Sequence, residues 1–429
     1  MDGISKRITT IFVLILVVGI IVANAFIRRS NFDQGIKMLI EIAAIVVMAL
    51  ILLTWVRIPI SAIIVRRKFA LGLEYPVDIP NSPQISIIVP ARNEERNIRR
   101  CLESLQKIEY PNIEFLVLND RSTDRTGEIV TEMAQVDRRI KLIQGSDLPD
   151  GWSGKAHAIH QAVSHATGDW LLFIDADVAI HEKAPEIALS YCLSNELKML
   201  SIALKSSFET FWENIIMPVV LGSIFFSSPL DKVNDPDDEA AMASGGFIFV
   251  NAESYRAIGG HEANKNSVTE DMDLARLAKT NDVPYRFMLG KEIGVVRWYT
   301  SFREIWEGWS KNLFAGMNYQ ISGVIESILW LFIMGILPFI VLIDRSVTLI
   351  SQGSYISPIF WLALAQTLTI LGYRFYSAVS QGLAKGYFFT HPLGNAIFIG
   401  IIINSALRSI TGRGITWKGR NYTDSTKNN

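Results

Sequence analysis

Apolar positions along this chain follow two regimes: unbroken runs near both ends, and short runs alternating with helical spacing in the middle. Ile8 to Phe26 is 19 residues without a charge, long enough to span a bilayer as a helix. Met38 to Val56 is a second run, with Glu41 near its start. No small-residue cleavage site is evident and the second run follows closely, so the first reads as a retained span and not a cleaved signal. Pro76, Pro80 and Pro83 mark a linker. Three more apolar stretches come late: Ser327 to Ile343, Ile356 to Tyr373, and Tyr387 to Ile403. The pattern predicts a membrane hairpin over 1–68, a mixed domain over 84–320, membrane helices over 321–410 and a polar tail over 411–429.

Within the middle domain the periodicity switches repeatedly. QISIIVP, EFLVLND, RIKLIQ and WLLFIDADV read as strands; NEERNIRRCLESL, TDRTGEIVTEMA and KAHAIHQAVSHA, which separate them, read as helices. This order predicts an α/β domain with a largely parallel sheet and helices on both faces. Phe211 to Phe226 is apolar but carries Glu213 and Pro218, and reads either as a buried helix broken at the proline or as an interfacial one. SFREIWEGWSKNLFAG, from Ser301, places Phe302, Ile305, Trp306, Trp309 and Leu313 near one face, as an interfacial helix would.

Composition narrows the class. Apolar residues make up 49% of the 429, and mean hydropathy is +0.26. That is high for a soluble enzyme and low for a pure membrane bundle. A net charge of −1 leaves no nucleic-acid footprint. The two cysteines, Cys101 and Cys192, and the six histidines form no zinc-ligand spacing. Arg57, Arg66, Arg67 and Lys68 follow the hairpin, so the middle domain is expected on the cytoplasmic side of the membrane. Three tail spans would then put Arg408, Arg413, Lys418 and Arg420 outside, against the same rule.

Ligands of open α/β sheets bind at the carboxyl ends of the strands. Those ends are polar here: Ala91-Arg92-Asn93-Glu94, Asn119-Asp120-Arg121-Ser122 and Asp175-Ala176-Asp177. Single Asp, Asn and Ser residues at such places serve as helix caps, and Asp124 is well explained that way. One cap does not need both Asp175 and Asp177. Two carboxylates against an apolar strand repel each other, and a divalent cation would offset that cost.

VPARNEE, LVLNDRSTD, GKAHA, DADV and TEDMDLA, in this order, resemble family-2 glycosyltransferases of GT-A fold over roughly residues 84 to 320. The resemblance implies a nucleotide-sugar donor, a Mg2+ or Mn2+ cofactor, and an inverting transfer. Asp177 would bind the metal, with Asp175 nearer the ribose and a metal-bound water. Asp120 would meet the uracil ring, and Ala91, Arg92 and Glu94 would line the nucleoside pocket. Lys155 is either a phosphate or ribose contact or a solvated lysine at a helix start. Asp271 matches the general base and Glu270 its helper, although Thr269-Glu270-Asp271 alone reads as a helix start. Gly245 and Gly246 would let backbone approach the donor sugar and acceptor, or form a simple turn. Trp309 corresponds to the tryptophan of a Gln-x-x-Arg-Trp segment that caps the donor site in the family. Ile305 and Gly308 stand where its glutamine and arginine would be, which argues against polymer synthesis; Lys311 would be the candidate to supply the missing charge.

GWSGKAHAIHQAV, IDADV, IGGHE, SFREIWEGWSKN and HPLGNAIFIG further resemble bacterial carotenoid glycosyltransferases. That resemblance implies a UDP-sugar donor, glucose first, and a lipid acceptor drawn from the bilayer, a hydroxylated carotenoid of the chlorobactene type. The alternatives are another lipid (hopanoid, diacylglycerol, polyprenyl phosphate), a processive polysaccharide synthase, and a membrane scaffold that kept the fold without the chemistry.

Overall fold

A computed structural model describes residues 2–30, 32–352, 357–412, 415–417 and 420–422. The chain divides into two compact units: one of residues 1–64, 208–222 and 300–415, the other of 65–207, 223–299 and 416–429. Residues 208–222 and 300–320, which the sequence pattern joins to the 84–320 domain, thus cluster with the helical unit.

The α/β unit is built on an eight-stranded sheet. Its strands are β1 (Ile85–Ala91), β2 (Ile113–Asn119), β3 (Ile140–Gln144), β4 (Trp170–Phe173), β5 (Val178–Ile180), β6 (Met199–Ser206), β7 (Ile248–Asn251) and β8 (Tyr285–Val296). Their order is β3-β2-β1-β4-β7-β6-β8-β5. Pairs β3–β2, β2–β1, β1–β4 and β6–β8 are parallel; β4–β7, β7–β6 and β8–β5 are antiparallel. Side-chain alternation divides the apolar residues between two faces. Ile85, Ile87, Val89, Phe115 and Val117 pack with Leu102, Leu105, Val130 and Met133 of the helices after β1 and β2. Ile88, Leu116, Leu118, Leu171 and Phe173 pack on the other face with Ala158, Ile159, Leu274 and Ala278.

One expectation needs correction. WLLFIDADV is not one strand: β4 ends at Phe173, and Val178–Ile180 pairs instead with Val296–Gly294 of β8 at the far edge. Asp175 and Asp177 therefore lie in the crossing between two strands.

In the helical unit, three helices are long and apolar enough to cross a membrane among the described residues: Arg7–Ile27, Gln34–Lys68 and Lys385–Ile410. The expected span Ser327–Ile343 is instead a pair, Ile321–Gly335 and Leu337–Gln352, bent by 42°. Pro338 explains the break: it has no N–H to give the carbonyl of Met334 four residues back. That carbonyl accepts from the indole N–H of Trp55 at 3.0 Å. Helix Pro358–Gln381 is not among the membrane-crossing candidates, and it carries Gln366, Thr367 and Arg374. Ile356, the expected start of that span, and the tail charges Arg413 and Lys418 lie outside the described residues.

Helix Phe302–Gly316 starts where SxxE patterning puts it, with Ser301 Oγ accepting from the Glu304 N–H at 3.2 Å. Its Ile305, Gly308, Trp309 and Phe314 are buried. Ser310 meets Asn404 and Ser405 of helix His391–Ile410, and Trp306 lies over Gly400. This face is spent on protein contacts, not on a membrane surface alone.

Candidate active site

Strand register assembles the rim. β1 and β2 run parallel with Ala91 opposite Asn119, so Arg92 and Asp120 emerge side by side. The main chain closes the pair: the Asp120 N–H donates to Ala91 O at 2.8 Å, and Arg92 Nη1 donates to Asp120 O at 2.7 Å. Asn93 and Arg121 take positive φ, 52° and 51°, which turns both strand ends sharply. Asp120 is buried, its Oδ1 3.4 Å from the Arg121 guanidinium. The Glu94 N–H donates to Thr126 Oγ1 at 2.8 Å and its carboxylate accepts from Asn97 at 2.9 Å. Asp124 stands one residue before the cap position, Arg125, and accepts from the N–H groups of Thr126 and Glu95.

A second cluster forms one switch point along, where β1 is flanked by β2 on one side and β4 on the other. β7 runs antiparallel to β4, with Ile248 opposite Phe173. The residues just before β7 therefore share an edge with those just after β4, and Gly245 meets Asp175. Lys155 binds the group together, with Nζ 2.6 Å from Asp175 Oδ1 and 2.7 Å from Glu270 Oε1. Its helix, Gly154–Val163, is capped by Ser153, whose Oγ accepts from the Ala156 N–H. Asp271, in the first turn of helix Glu270–Thr280, accepts from the N–H of Gly245 at 2.9 Å and of Met272 at 2.8 Å.

Charge in this cluster is net negative, with Asp175, Glu270 and Asp271 around Lys155. Burial and the neighbouring Glu270 push the Asp271 carboxyl up to about 6, against the pull of Lys155 and the two N–H groups. Burial pulls the Lys155 ammonium down, but Asp175, Glu270 and Asp271 outweigh it and hold it well above its usual range. Lys155 is nonetheless 37% exposed, so it can exchange partners with a ligand. Beside it, His261 is buried, neutral at physiological pH with its pKa pulled by burial to about 4, and bonded through Nδ1 to Tyr255 Oη at 2.7 Å. The IGGHE glycines allow this: Gly259 and Gly260 take φ of 80° and 50°, and a Cβ on Gly260 would fall 2.4 Å from the Tyr255 ring.

Not every expected residue joins the cluster. A Cβ on Gly245 would sit 3.0 Å from Lys155 Nζ, 3.2 Å from Asp175 Oδ2 and 3.5 Å from Asp271 Oδ2, whereas one on Gly246 would meet Val178 and Leu204. Gly245 lines the charged space; Gly246 backs onto the core. Trp309 belongs to the helical unit, where it is buried with its indole N–H 3.3 Å from Met217 Sδ. Arg100 was not singled out from sequence, yet its Nη2 donates to the Asp177 carbonyl at 2.6 Å and fixes the turn that carries both aspartates.

The donor set suits a hard divalent cation that takes only one or two carboxylates from the protein and the rest from phosphate and water. Asp175, which borders the space Gly245 leaves open, and Asp177 two residues on would supply those two. Among the described residues no group of three or more His, Cys, Asp or Glu is arranged to hold an ion by itself.

Comparison with known proteins follows this geometry. Residues 86–258 match the profile "Glycosyl transferase family 2". The chain is 28% identical over 352 residues to the 4,4'-diaponeurosporenoate glycosyltransferase of Staphylococcus aureus (strain USA300), covering 80% of this chain and 89% of that one. Among solved structures it resembles a mannosyltransferase from Pyrobaculum calidifontis in complex with GDP-Man and Mn2+ (15% identity, TM-score 0.45, 85% and 99% coverage). It also resembles S. aureus TarS 1-349 in complex with UDP (16% identity, TM-score 0.39, 80% and 97% coverage). Residues 86–258 carry the sequence profile of family 2 glycosyltransferases, in a chain similar over most of its length to a bacterial carotenoid glycosyltransferase.

Proposed function

We propose that this protein is a membrane-bound inverting glycosyltransferase that moves a hexose, glucose first, from a UDP-sugar to the hydroxyl of a membrane lipid, a hydroxylated carotenoid. The arrangement around Asp271 carries the proposal. Its carboxylate is fixed by two backbone N–H groups and tuned to about 6, so near neutral pH it is ionised yet basic enough to take a proton. Asp271 deprotonates the acceptor hydroxyl, and the alkoxide attacks the anomeric carbon from the face opposite the leaving nucleotide. Inversion follows, so an α-linked donor gives a β-glycoside. Asp120, Arg92, Ala91 and Glu94 form the nucleoside end of the site. Asp175 and Asp177 would hold Mg2+ or Mn2+, which when bound neutralises charge on the departing diphosphate. Lys155 exchanges Asp175 for donor oxygens, and Glu270 keeps it in place. Trp309 is retained as a donor-side contact only as the family pattern implies.

A carotenoid acceptor is supported by the likeness to the S. aureus enzyme. The name of that relative's acceptor ends in a carboxylate, which sets up a second reading: a glycosyl ester. An anionic acceptor needs no base and is repelled by Asp175, Glu270 and Asp271, so the hydroxyl is preferred here. The apolar helices and the basic run Arg66–Lys68 support attachment to the inner membrane with the catalytic domain in the cytoplasm.

The test is a product assay. Membranes holding the protein receive UDP-glucose, a divalent cation and a hydroxylated carotenoid, and lipids are read by mass spectrometry. A cation-dependent gain of one hexose that resists mild alkali and vanishes in Asp271→Asn supports the whole reading. An alkali-labile hexose replaces hydroxyl by carboxyl. Hexose on an endogenous lipid alone discards the carotenoid, and a polymeric product revives the synthase.

A further inference from the structure

At the loop joining its first two helices, the helical unit has a half-open cavity of about 360 Å3 with charged side chains in a partly apolar wall. Its wall carries three cations, Arg28, Lys37 and Arg345, and one carboxylate, Glu41, with Asn24 and Ser357 beside them. Ionisable groups within an apolar helical bundle are costly and mark function by default. Some of this charge is answered internally. Glu41 accepts from Asn24 Nδ2 at 2.6 Å and from Ser357 Oγ at 2.7 Å. Arg345 donates to Asn24 Oδ1 and lies 3.8 Å from Glu41. Arg28 donates to Asp344 at 2.9 Å and to Thr348 at 3.1 Å.

Two donors are left over. The Nε groups of Arg28 and of Arg345 are buried without a hydrogen-bond partner, and Arg345 as a whole is 6% exposed. Asp344 is already shared by Arg28 and Arg29. Unfilled guanidinium donors, with cations in excess over carboxylates, select an anion bearing several acceptor oxygens. The surroundings say where it comes from. Met38, which lines the cavity, and its neighbours Leu39 and Ile42 are exposed apolar side chains, as lipid-facing residues are. Along the second helix, Glu41 stands about 23 residues from Ile64, or ~35 Å, close to the thickness of a bilayer core. The cavity thus sits at the depth of lipid headgroups.

We propose that this cavity binds a phosphate group, of the kind that an anionic phospholipid presents at the membrane face. The experiment uses the full chain purified in detergent, with native mass spectrometry to count bound lipid. Phosphatidylglycerol and phosphatidylcholine are the probes and inorganic phosphate is the competitor. The expected result is one phosphatidylglycerol retained in preference to phosphatidylcholine. Arg345→Gln and Lys37→Gln should each weaken it on the order of tenfold. Lys37 is half-exposed and has no structural bond to lose among those described, so its variant carries the test if Arg345→Gln does not fold. Displacement by millimolar phosphate assigns recognition to the anion alone, and resistance to it assigns the site to intact lipid; both uphold the site. Equal retention of the two lipids, or undiminished binding in Lys37→Gln, overturns it.

Discussion

The main-chain N–H of Gly245 donates to Asp271 Oδ2 at 2.9 Å, so the turn before β7 fixes the carboxylate at the head of another element. A residue with no side chain thereby aims the group proposed as the base. Asp271→Asn keeps one of the two N–H contacts, because its amide has a single acceptor oxygen, and it cannot take a proton. Turnover is expected to fall by on the order of 100-fold or more, with UDP binding by calorimetry retained. Unchanged turnover would remove Asp271 from the chemistry.

The pH profile reports the same carboxylate. Its pKa lies at about 6, raised from 3.8, so the basic form is lost as pH falls through about 6, and kcat/KM falls with it. Lys155 lowers that pKa and Glu270 raises it. Lys155→Met should therefore move the acid limb to higher pH, and Glu270→Gln to lower pH. Shifts of the same sign in both variants would show that something other than Asp271 titrates.

Gly245→Ala puts a methyl 3.0 Å from Lys155 Nζ and 3.2 Å from Asp175 Oδ2. Lys155 and Asp175 must each give by a few tenths of an ångström, which displaces the charged pair from its position. Steady-state assays are expected to show kcat/KM lower by on the order of 100-fold with an unchanged melting temperature. Gly246→Ala is the control, because its methyl meets Val178 at an ordinary 3.4 Å.

Asp177→Ala tests the proposed cation clamp directly. Titration of UDP in the presence and absence of Mn2+ should show cation-enhanced affinity in the wild type and little enhancement in the variant. Equal wild-type affinity with and without the ion would leave the two aspartates without that role.

Glu114 offers a stability measurement far from the chemistry. Burial pushes its carboxyl up, but Lys141, Ser86 and Thr167 outweigh that and bring it down to about 2, from 4.5. The bonds tie β1, β2 and β3 together at 2.6 to 2.7 Å. A depressed carboxylate stabilises the fold fully above about 4.5, and the contribution is lost as pH falls toward 2. Glu114→Gln should cost about 1–3 kcal/mol at neutral pH and flatten the acid limb of a melting-temperature profile. An unaltered limb would show that these bonds contribute nothing net.

Local pattern made the strand ends legible. Alternation located β1, β2 and β3 closely, and parallel order then put Arg92 and Asp120 on one rim. Pattern failed where partners are distant in sequence. Val178–Ile180 reads as the tail of β4, and only its pairing with 294–296 shows otherwise. The ambiguity of Lys155 had the same origin: Asp175 and Glu270 stand about 20 and about 115 positions away, and no local signal announces either. Arg100 looked like one more charge on an amphipathic helix. Pro338, by contrast, was visible in the expected span Ser327–Ile343, and its missing N–H is what divides that span.

That division binds the two ends of the chain in order of synthesis. The carbonyl freed by Pro338 belongs to a late helix, and the indole that satisfies it, Trp55, is made nearly three hundred residues earlier. An unanswered carbonyl is poorly tolerated in hydrocarbon. In a bilayer the first hairpin would therefore have to be in place when the bent helix arrives. Trimming residues 1–64 to obtain a soluble enzyme would remove more than an anchor: the tail would lose the donor its kink depends on, and Trp55→Phe should misassemble the same helix in an otherwise full-length chain.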